Sequence, residues 1–313
     1  MMEGTVADPA RTGALAQLDA APIFICGHIR SGTTWVLDLL SAHPLVADLF
    51  ESLIFTGSGL APLLQDIHWD FESSQRMFDR RMGLGQMLER ERVLDDVRAL
   101  CDSWLARALE PQHRFLVEKT PGDARSIQTL AKLYPDAAVI HVLRDGRDVA
   151  ISSAAARRGW QRRETQTDDP RAGSRHLWGI GLGWARQVTT MRAQLERTEI
   201  RGFEVRYEQM HERPIETARA LFEFCRIPVS EQQLAELVDQ VHFSKLPKTG
   251  PESFRRSGKV GNWRTEWNRG QRLLFTAAAG PALEKTDYAP PMIWQARALR
   301  WLLMRYEKLK GVM

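Results

Sequence analysis

Residues 23–35 read Ile23-Phe24-Ile25-Cys26-Gly27-His28-Ile29-Arg30-Ser31-Gly32-Thr33-Thr34-Trp35: an apolar strand, a turn of glycine and hydroxyls, then the start of a helix. In α/β proteins this order holds a phosphate-like anion. The N–H groups of the turn and the positive end of the helix dipole converge on one point and stabilise an oxyanion without a metal. A nucleoside-triphosphate loop would read G-x-x-x-x-G-K-[ST], with its Lys on the outer phosphates and its hydroxyl on magnesium. Gly27 and Gly32 keep the spacing, but Thr33 replaces the Lys and the cation sits at Arg30. The loop is built for a related but different donor.

Outward from this unit the chain alternates. A strand at 22–28 leads to a helix at 33–42, stopped by His43-Pro44 because the residue before proline is pushed out of the helical region. Arg114-Phe115-Leu116-Val117 is a short strand ending in Glu118-Lys119-Thr120-Pro121, and Asp123 is placed to cap a helix running to Tyr134. Residues 137–143 form a continuous apolar run, as expected of a parallel strand buried on both faces. Helices at 146–156, 175–197, 215–225 and 231–240 and a strand at 203–207 complete the pattern. It predicts a three-layer α/β/α fold with a central parallel sheet. Residues 45–113, with helical periodicity at 85–109 and breaks at Gly57, Gly59, Pro62, Gly83 and Gly85, read as a lid or acceptor-binding insertion. The chain divides into a loose leader at 1–21, a single domain at 22–290 and an amphipathic helix at 291–313.

The 313 residues are 43% apolar and 26% charged with a net charge of +4, enough for one large soluble core. Arg157, Arg158, Arg162, Arg163, Arg171 and Arg175 fall in one stretch, interleaved with Glu164, Asp168 and Asp169. They read as a solvated loop able to steer an anionic donor or an acidic acceptor. No aromatic spacing suited to base stacking accompanies them, so nucleic acid is not expected. Trp160, Trp178 and Trp184 read as core positions or as an acceptor wall. Cys26, Cys101 and Cys225 lack disulfide or zinc spacing, which suits a reducing compartment. The first twenty residues lack the apolar core of a signal peptide, and a cytoplasmic location is expected. In the tail, Trp294, Ala298, Trp301, Leu302 and Leu309 share one side and Arg297, Arg300 and Lys308 lie near the other. This is a docking helix, or a surface for peripheral contact with an anionic membrane.

In an open parallel sheet the ligand sits beyond the carboxyl ends of the strands, where His28–Thr34, Glu118–Thr120 and Arg144–Ser152 fall. A magnesium-dependent kinase would want an Asp at a strand tip, but the strand at 137–143 delivers Arg144 first. Arg144, with Ser152 two turns into the next helix, is suited to clamp a second phosphate.

The pattern Arg144-x-x-x-Asp148-x-x-x-Ser152, together with Arg30-Ser31-Gly32-Thr33-Thr34-Trp35, resembles the sulfotransferase superfamily that uses 3′-phosphoadenosine 5′-phosphosulfate. The resemblance implies a P-loop-like sulfotransferase fold. It places the 5′-phosphosulfate on Arg30, Ser31, Gly32, Thr33 and Thr34, and the 3′-phosphate on Arg144 and Ser152. Arg256-Ser257-Gly258-Lys259-Val260-Gly261-Asn262-Trp263 is similar to the R-K-G-x-x-G-D-W segment of cytosolic members. It adds Arg256, Gly258 and Lys259 to the 3′-phosphate contacts, with Ser257 and Asn262 as departures. Trp35 matches the position that stacks the adenine, and Tyr207 in Val205-Arg206-Tyr207-Glu208 matches an adenine-contacting Tyr.

The cytosolic members' catalytic His is absent, because Pro121 follows Lys119-Thr120. Arg30–Thr34, then Ala42-His43-Pro44, then Glu51 resembles tyrosylprotein sulfotransferases and related bacterial enzymes, in which a Glu soon after His-Pro acts as base. Val117-Glu118-Lys119-Thr120-Pro121 resembles the heparan sulfate glucosaminyl 3-O-sulfotransferases, which implies an active-site role for Lys119. The implied reaction is metal-free, in-line transfer of the sulfuryl group to a hydroxyl, less favourably an amine, of a glycan, lipid-linked or small-molecule acceptor. Glu51 is the expected base, its pKa raised by the apolar residues at 45–55, with Arg30 and Lys119 offsetting developing charge. Glu118 is the second candidate base and His28 the third. Two other functions fit the chain less well: a P-loop-type small-metabolite kinase and a noncatalytic nucleotide-binding protein. The acceptor and the oligomeric state are not encoded in any motif found.

Overall fold

A computed structural model describes residues 15–56, 59–60, 77, 79, 83–164, 170–242, 259–289 and 292–309, with the side chains of 84, 157–164 and 170–175 outside that description. Strand β1 (Ile23–Gly27) is buried at every position and forms the centre of a five-stranded parallel sheet, in the order β2 (Val46–Phe50), β3 (Phe115–Lys119), β1, β4 (Ala138–Leu143), β5 (Arg201–Arg206). Its neighbours β3 and β4 are equally buried, as strands covered on both faces must be. Ile25 pairs with Lys119 on one side and Ile140 on the other. Strand β5 closes one edge.

Alternation along the strands feeds two cores. Ile23 and Ile25 pack with α1 (Thr33–Ser41), and with Phe222 and Leu234 of the later helices α7 (Pro214–Cys225) and α8 (Glu231–Gln240). Phe24 and Cys26 turn the other way, toward Cys101 of α2 (Arg90–Leu105) and Leu130 of α3 (Ile127–Leu133). Helices α4 (Gly146–Glu164), α5 (Pro170–Glu196) and α10 (Arg269–Lys285) enclose a third cluster with Trp184 and Phe275 at its centre. The three-layer reading and the parallel sheet hold. Trp178 and Trp184 are both core residues. No helix among the described residues is long and apolar enough to cross a membrane.

Several boundaries differ from expectation. Residues 45–113 are not all insertion: Val46–Phe50 is strand β2, paired in parallel with β3 at the sheet edge. An edge strand covers little, and only Val46 and Ala47 are buried, so no continuous apolar run marked it. Asp123 caps no helix. It lies fully buried in a 3-10 turn at Pro121–Arg125, and α3 begins only after Ser126. The strand placed at 203–207 ends at Arg206, and Tyr207 opens the short helix α6 (Tyr207–Glu212). Further on come α9 (Trp263–Glu266) and α11 (Trp294–Leu309).

Candidate active site

The loop after β1 is set by close approaches. A Cβ on Gly27 would lie 2.6 Å from the Val142 carbonyl oxygen, and one on Gly32, at φ 103°, would run into the Tyr207 ring. Gly32 is the N-cap of α1, and no side chain caps it. The first N–H groups of the helix therefore have no intrahelical partner and point toward the loop. Thr33 is buried and Thr34 half-buried at this end. Arg30 is left-handed at φ 71°, and its Nε donates to Ser152 Oγ at 3.1 Å, tying the loop to α4. His28 is buried, with Nδ1 2.8 Å from the Ile29 carbonyl oxygen, and burial pushes its pKa down.

Arg144, at the tip of β4, joins three segments. Its guanidinium lies 4.0 Å from the centre of the Tyr207 ring. Nη1 donates to the Arg30 carbonyl at 3.3 Å and Nη2 to the Lys259 carbonyl at 3.2 Å. Trp184 Nε1 donates to the Arg144 carbonyl from below at 3.1 Å.

The residues that follow form a latch that sequence reasoning missed. Asp145 accepts from Arg147 Nε at 2.9 Å and Nη2 at 2.7 Å, and from Trp263 Nε1 at 3.1 Å. Arg147 in turn lies 3.7 Å from the centre of the Trp263 ring. Asp148 accepts from the N–H groups of Gly261 at 2.6 Å and Trp263 at 3.2 Å. The charges packed after the strand tip were the available signal, but nothing local told that their partners lie more than a hundred positions on.

At the ends of β2 and β3 the geometry turns on one pair. Lys119 Nζ, on a buried side chain, lies 2.7 Å from Glu51 Oε1 and 3.5 Å from the centre of the Phe50 ring. Burial pushes the Lys119 ammonium down from its ordinary value, with Glu51 opposing. Glu51 does not have the apolar surround expected of it. Its side chain is 41% exposed and its partner is an ammonium, while Val46 and Phe55 turn into the core. Glu51 and Leu53 are left-handed at φ 54° and 59°. Each such residue costs roughly 1–2 kcal/mol, so other contacts hold this turn. Glu118 points to the opposite face of β3 from Lys119 and is fully buried.

The sheet thus brings together Arg30, Ser31, Gly32, Thr33, Thr34, Arg144, Ser152, Lys119 and Glu51 at its carboxyl edge. Trp35 and Tyr207 are placed beneath this surface. Trp35 is buried, with its indole N–H donated to the Val241 carbonyl at 3.0 Å, and Tyr207 supports Arg144. Lys259 meets Arg144 through its backbone. Arg256 and Gly258 lie outside the described residues, as do the side chains of Trp160 and the arginines at 157–175. Two buried donors, Ser31 Oγ and Arg144 Nε, lack a partner among the described residues. Leaving such a group unsatisfied costs about 1–3 kcal/mol, which an anion accepting from these loops would relieve. Cations, hydroxyls and helix N–H groups make up this donor set, and it fits a ligand with more than one phosphate-like group.

A family model described as "Sulfotransferase family" matches residues 22–231. Protein-tyrosine sulfotransferase 1 of Danio rerio is 28% identical over 225 residues, covering 69% of this chain and 56% of that protein. An "Uncharacterized protein" of Aquifex aeolicus (strain VF5) is 24% identical over 258 residues, covering 81% of this chain and 31% of that protein. The chain therefore spans about a third to just over half of the length of these curated relatives. Among solved structures, mouse sulfotransferase SULT7A1 complexed with PAP superposes with a TM-score of 0.51 at 15% identity, covering 90% of this chain and 95% of that one. A likeness at that identity speaks to the fold.

Proposed function

The chain belongs to the sulfotransferase family, and from that premise we propose that it transfers the sulfuryl group of 3′-phosphoadenosine 5′-phosphosulfate to an acceptor hydroxyl, with Glu51 as base and no metal. The observation that carries this reading is the meeting of Arg30, Arg144, Lys119 and Glu51 at the carboxyl ends of adjacent parallel strands. The co-substrate supplies the sulfuryl group and a bisphosphate leaving group. In the β1 loop, Arg30, Ser31, Gly32, Thr33 and Thr34 hold the 5′ end. Arg144 and Ser152, with Arg256, Gly258 and Lys259, hold the 3′-phosphate, and Trp35 and Tyr207 shape the adenine side.

Glu51 takes the proton of the acceptor hydroxyl as its oxygen bonds to sulfur. The bond from sulfur to the bridging oxygen breaks, and Lys119 and Arg30 offset the charge left on that oxygen. The Glu51–Lys119 pair holds base and cation within one hydrogen bond of each other, so both act on the same reacting centre. A glycan, a lipid-linked glycan or a small molecule is the acceptor class, bound by the part of 45–113 that follows β2.

Residues 22–290 form the catalytic unit, and the three free, buried cysteines suit the cytoplasm. Helix α11 supports peripheral contact with an anionic membrane. Trp294, Trp301, Leu302 and Leu309 are exposed along it beside Arg297, Arg305 and Lys308. Its one acid, Glu307, is turned inward to Trp178. Arg300, counted among the outer cations from sequence, instead donates to the carbonyls of Ala277 and Ala278 and anchors the helix.

The test is transfer of radiolabel from the phosphosulfate to a panel of phenols, glycans and glycolipids in EDTA. Label on any acceptor, lost in Glu51→Gln, supports the reading. Transfer only from magnesium ATP would favour the kinase, and no turnover with any donor the noncatalytic protein.

A further inference from the structure

Glu51 sits in a turn whose backbone L-residues avoid, and the structure shows what holds it there. Four consecutive N–H groups of the turn are taken by the end of β3 and by the hydroxyl of Ser52. Glu51 N–H donates to the Lys119 carbonyl at 2.8 Å. Ser52 N–H donates to Glu118 Oε1 at 3.2 Å. Leu53 N–H donates to Thr120 Oγ1 at 3.4 Å, and Ile54 N–H to Ser52 Oγ at 3.4 Å. Both of those hydroxyls then donate to Glu118 Oε1, Ser52 Oγ at 2.7 Å and Thr120 Oγ1 at 2.5 Å. One buried carboxylate oxygen therefore organises the N–H groups of 52, 53 and 54, directly or through a hydroxyl. From this geometry we infer that Glu118 is a positioning residue: it fixes the left-handed turn that sets the Glu51 carboxylate against Lys119.

A second fully buried carboxyl, Asp123, lies beside Glu118. Glu118 Oε2 and both oxygens of Asp123 are buried with no hydrogen-bond partner among the described residues. Burial, and then the Glu118 charge, push Asp123 well above the usual carboxylate range. Burial raises the Glu118 carboxyl as well, with the Thr120 and Ser52 hydroxyls opposing. The tripeptide Glu118-Lys119-Thr120 works as a unit: Lys119 meets the Glu51 carboxylate, while the residues on either side shape the turn that carries it.

The inference deepens the proposed role of Glu51 and rests on it for its catalytic meaning, so the test separates the two. Crystal structures of ligand-free Glu118→Ala and Glu118→Gln read the turn directly. In the Ala variant the Glu51–Lys119 contact should be lost. In the Gln variant, whose amide oxygen still accepts from the three donors, it should return. With 4-nitrophenol as probe acceptor, Glu118→Ala should lower kcat on the order of 10²-fold, the scale of a misplaced catalytic group. Glu118→Gln should restore most of that loss, and the affinity for 3′-phosphoadenosine 5′-phosphate should stay within about twofold in both. Should Glu118→Ala fail to fold, Thr120→Val removes one hydroxyl from the same network and should show the same split between rate and affinity. An unchanged Glu51–Lys119 contact in Glu118→Ala, or in Thr120→Val where the Ala variant does not fold, would overturn the inference. A broken contact with full activity would uphold the positioning and refute Glu51 as base.

Discussion

Lys119 Nζ and Glu51 Oε1 lie 2.7 Å apart although the residues stand 68 positions apart in the chain. The contact exists because β2 pairs with β3 in a register that sets Phe50 opposite Lys119, so the residue after Phe50 meets the strand end that carries the cation. In the proposed transfer to a hydroxyl, this contact sets base and cation at hydrogen-bond distance. Glu51→Gln should therefore lower kcat by roughly 10²–10⁴-fold. Affinity for 3′-phosphoadenosine 5′-phosphate, measured by calorimetry, should be nearly unchanged. Full activity in this variant would remove Glu51 from the reaction.

Asp148 holds the segment after residue 259 against α4 through two backbone N–H groups, and Arg144 reads the Lys259 carbonyl beside it. Asp148→Ala leaves those N–H groups unpartnered and frees the segment. The variant should bind the bisphosphate on the order of tenfold more weakly, the scale of one lost charge-assisted hydrogen bond. Ser152→Ala, which removes the acceptor of Arg30 Nε, should weaken binding in the same direction. Equal affinities in all three proteins would show that the latch is not part of the nucleotide site.

How far the sequence reaches depends on the range of the contacts involved. The loop at 27–34 and the tip of β4 are local motifs on strongly apolar strands, and both were read correctly as elements. Strand β2 was missed because it is an edge strand of five residues with only two buried. Without β2, the pairing that brings Glu51 to Lys119 has no visible cause, and of the apolar residues taken as the environment of Glu51, Val46, Leu49 and Phe50 belong to the edge strand and Phe55 to the core. The roles of Asp145, Asp148 and Trp263 were equally hidden, because 113 positions separate Asp148 from Gly261. The motifs assign Tyr207 and Trp35 to the nucleotide, while the packing buries both, Tyr207 against the Arg144 guanidinium.

Acid stability has a specific source at the other edge of the sheet. Glu204 accepts from Arg192 Nη2 at 2.6 Å and lies 3.1 Å from His141 Nδ1. Burial pushes its carboxyl up, but His141 and Arg192 overcome this and hold it at about 2. A depressed carboxylate pKa stabilises the fold above the unfolded value of roughly 4.3, and that contribution fades as pH falls toward the folded value. The stability difference between wild type and Glu204→Gln, read from melting curves, should therefore shrink as pH falls from about 4 toward 2. A gap independent of pH would assign the effect to packing.

Along α11 the exposed apolar residues and outward cations make a measurable surface. Wild type should co-sediment with vesicles containing phosphatidylglycerol and should not do so with neutral vesicles. Trp294→Ser/Trp301→Ser should reduce the bound fraction several-fold, consistent with loss of interfacial apolar area. Equal sedimentation of the two proteins would leave α11 as a docking helix only.

Calorimetric titration with 3′-phosphoadenosine 5′-phosphate in EDTA, with ADP and ATP as controls, reads the donor site without needing an acceptor. Binding that requires the 3′-phosphate, needs no metal and is lost in Arg144→Ala is the predicted result. No binding, or a magnesium-dependent preference for ATP, would contradict the sulfotransferase reading of the cleft and return the chain to the kinase class.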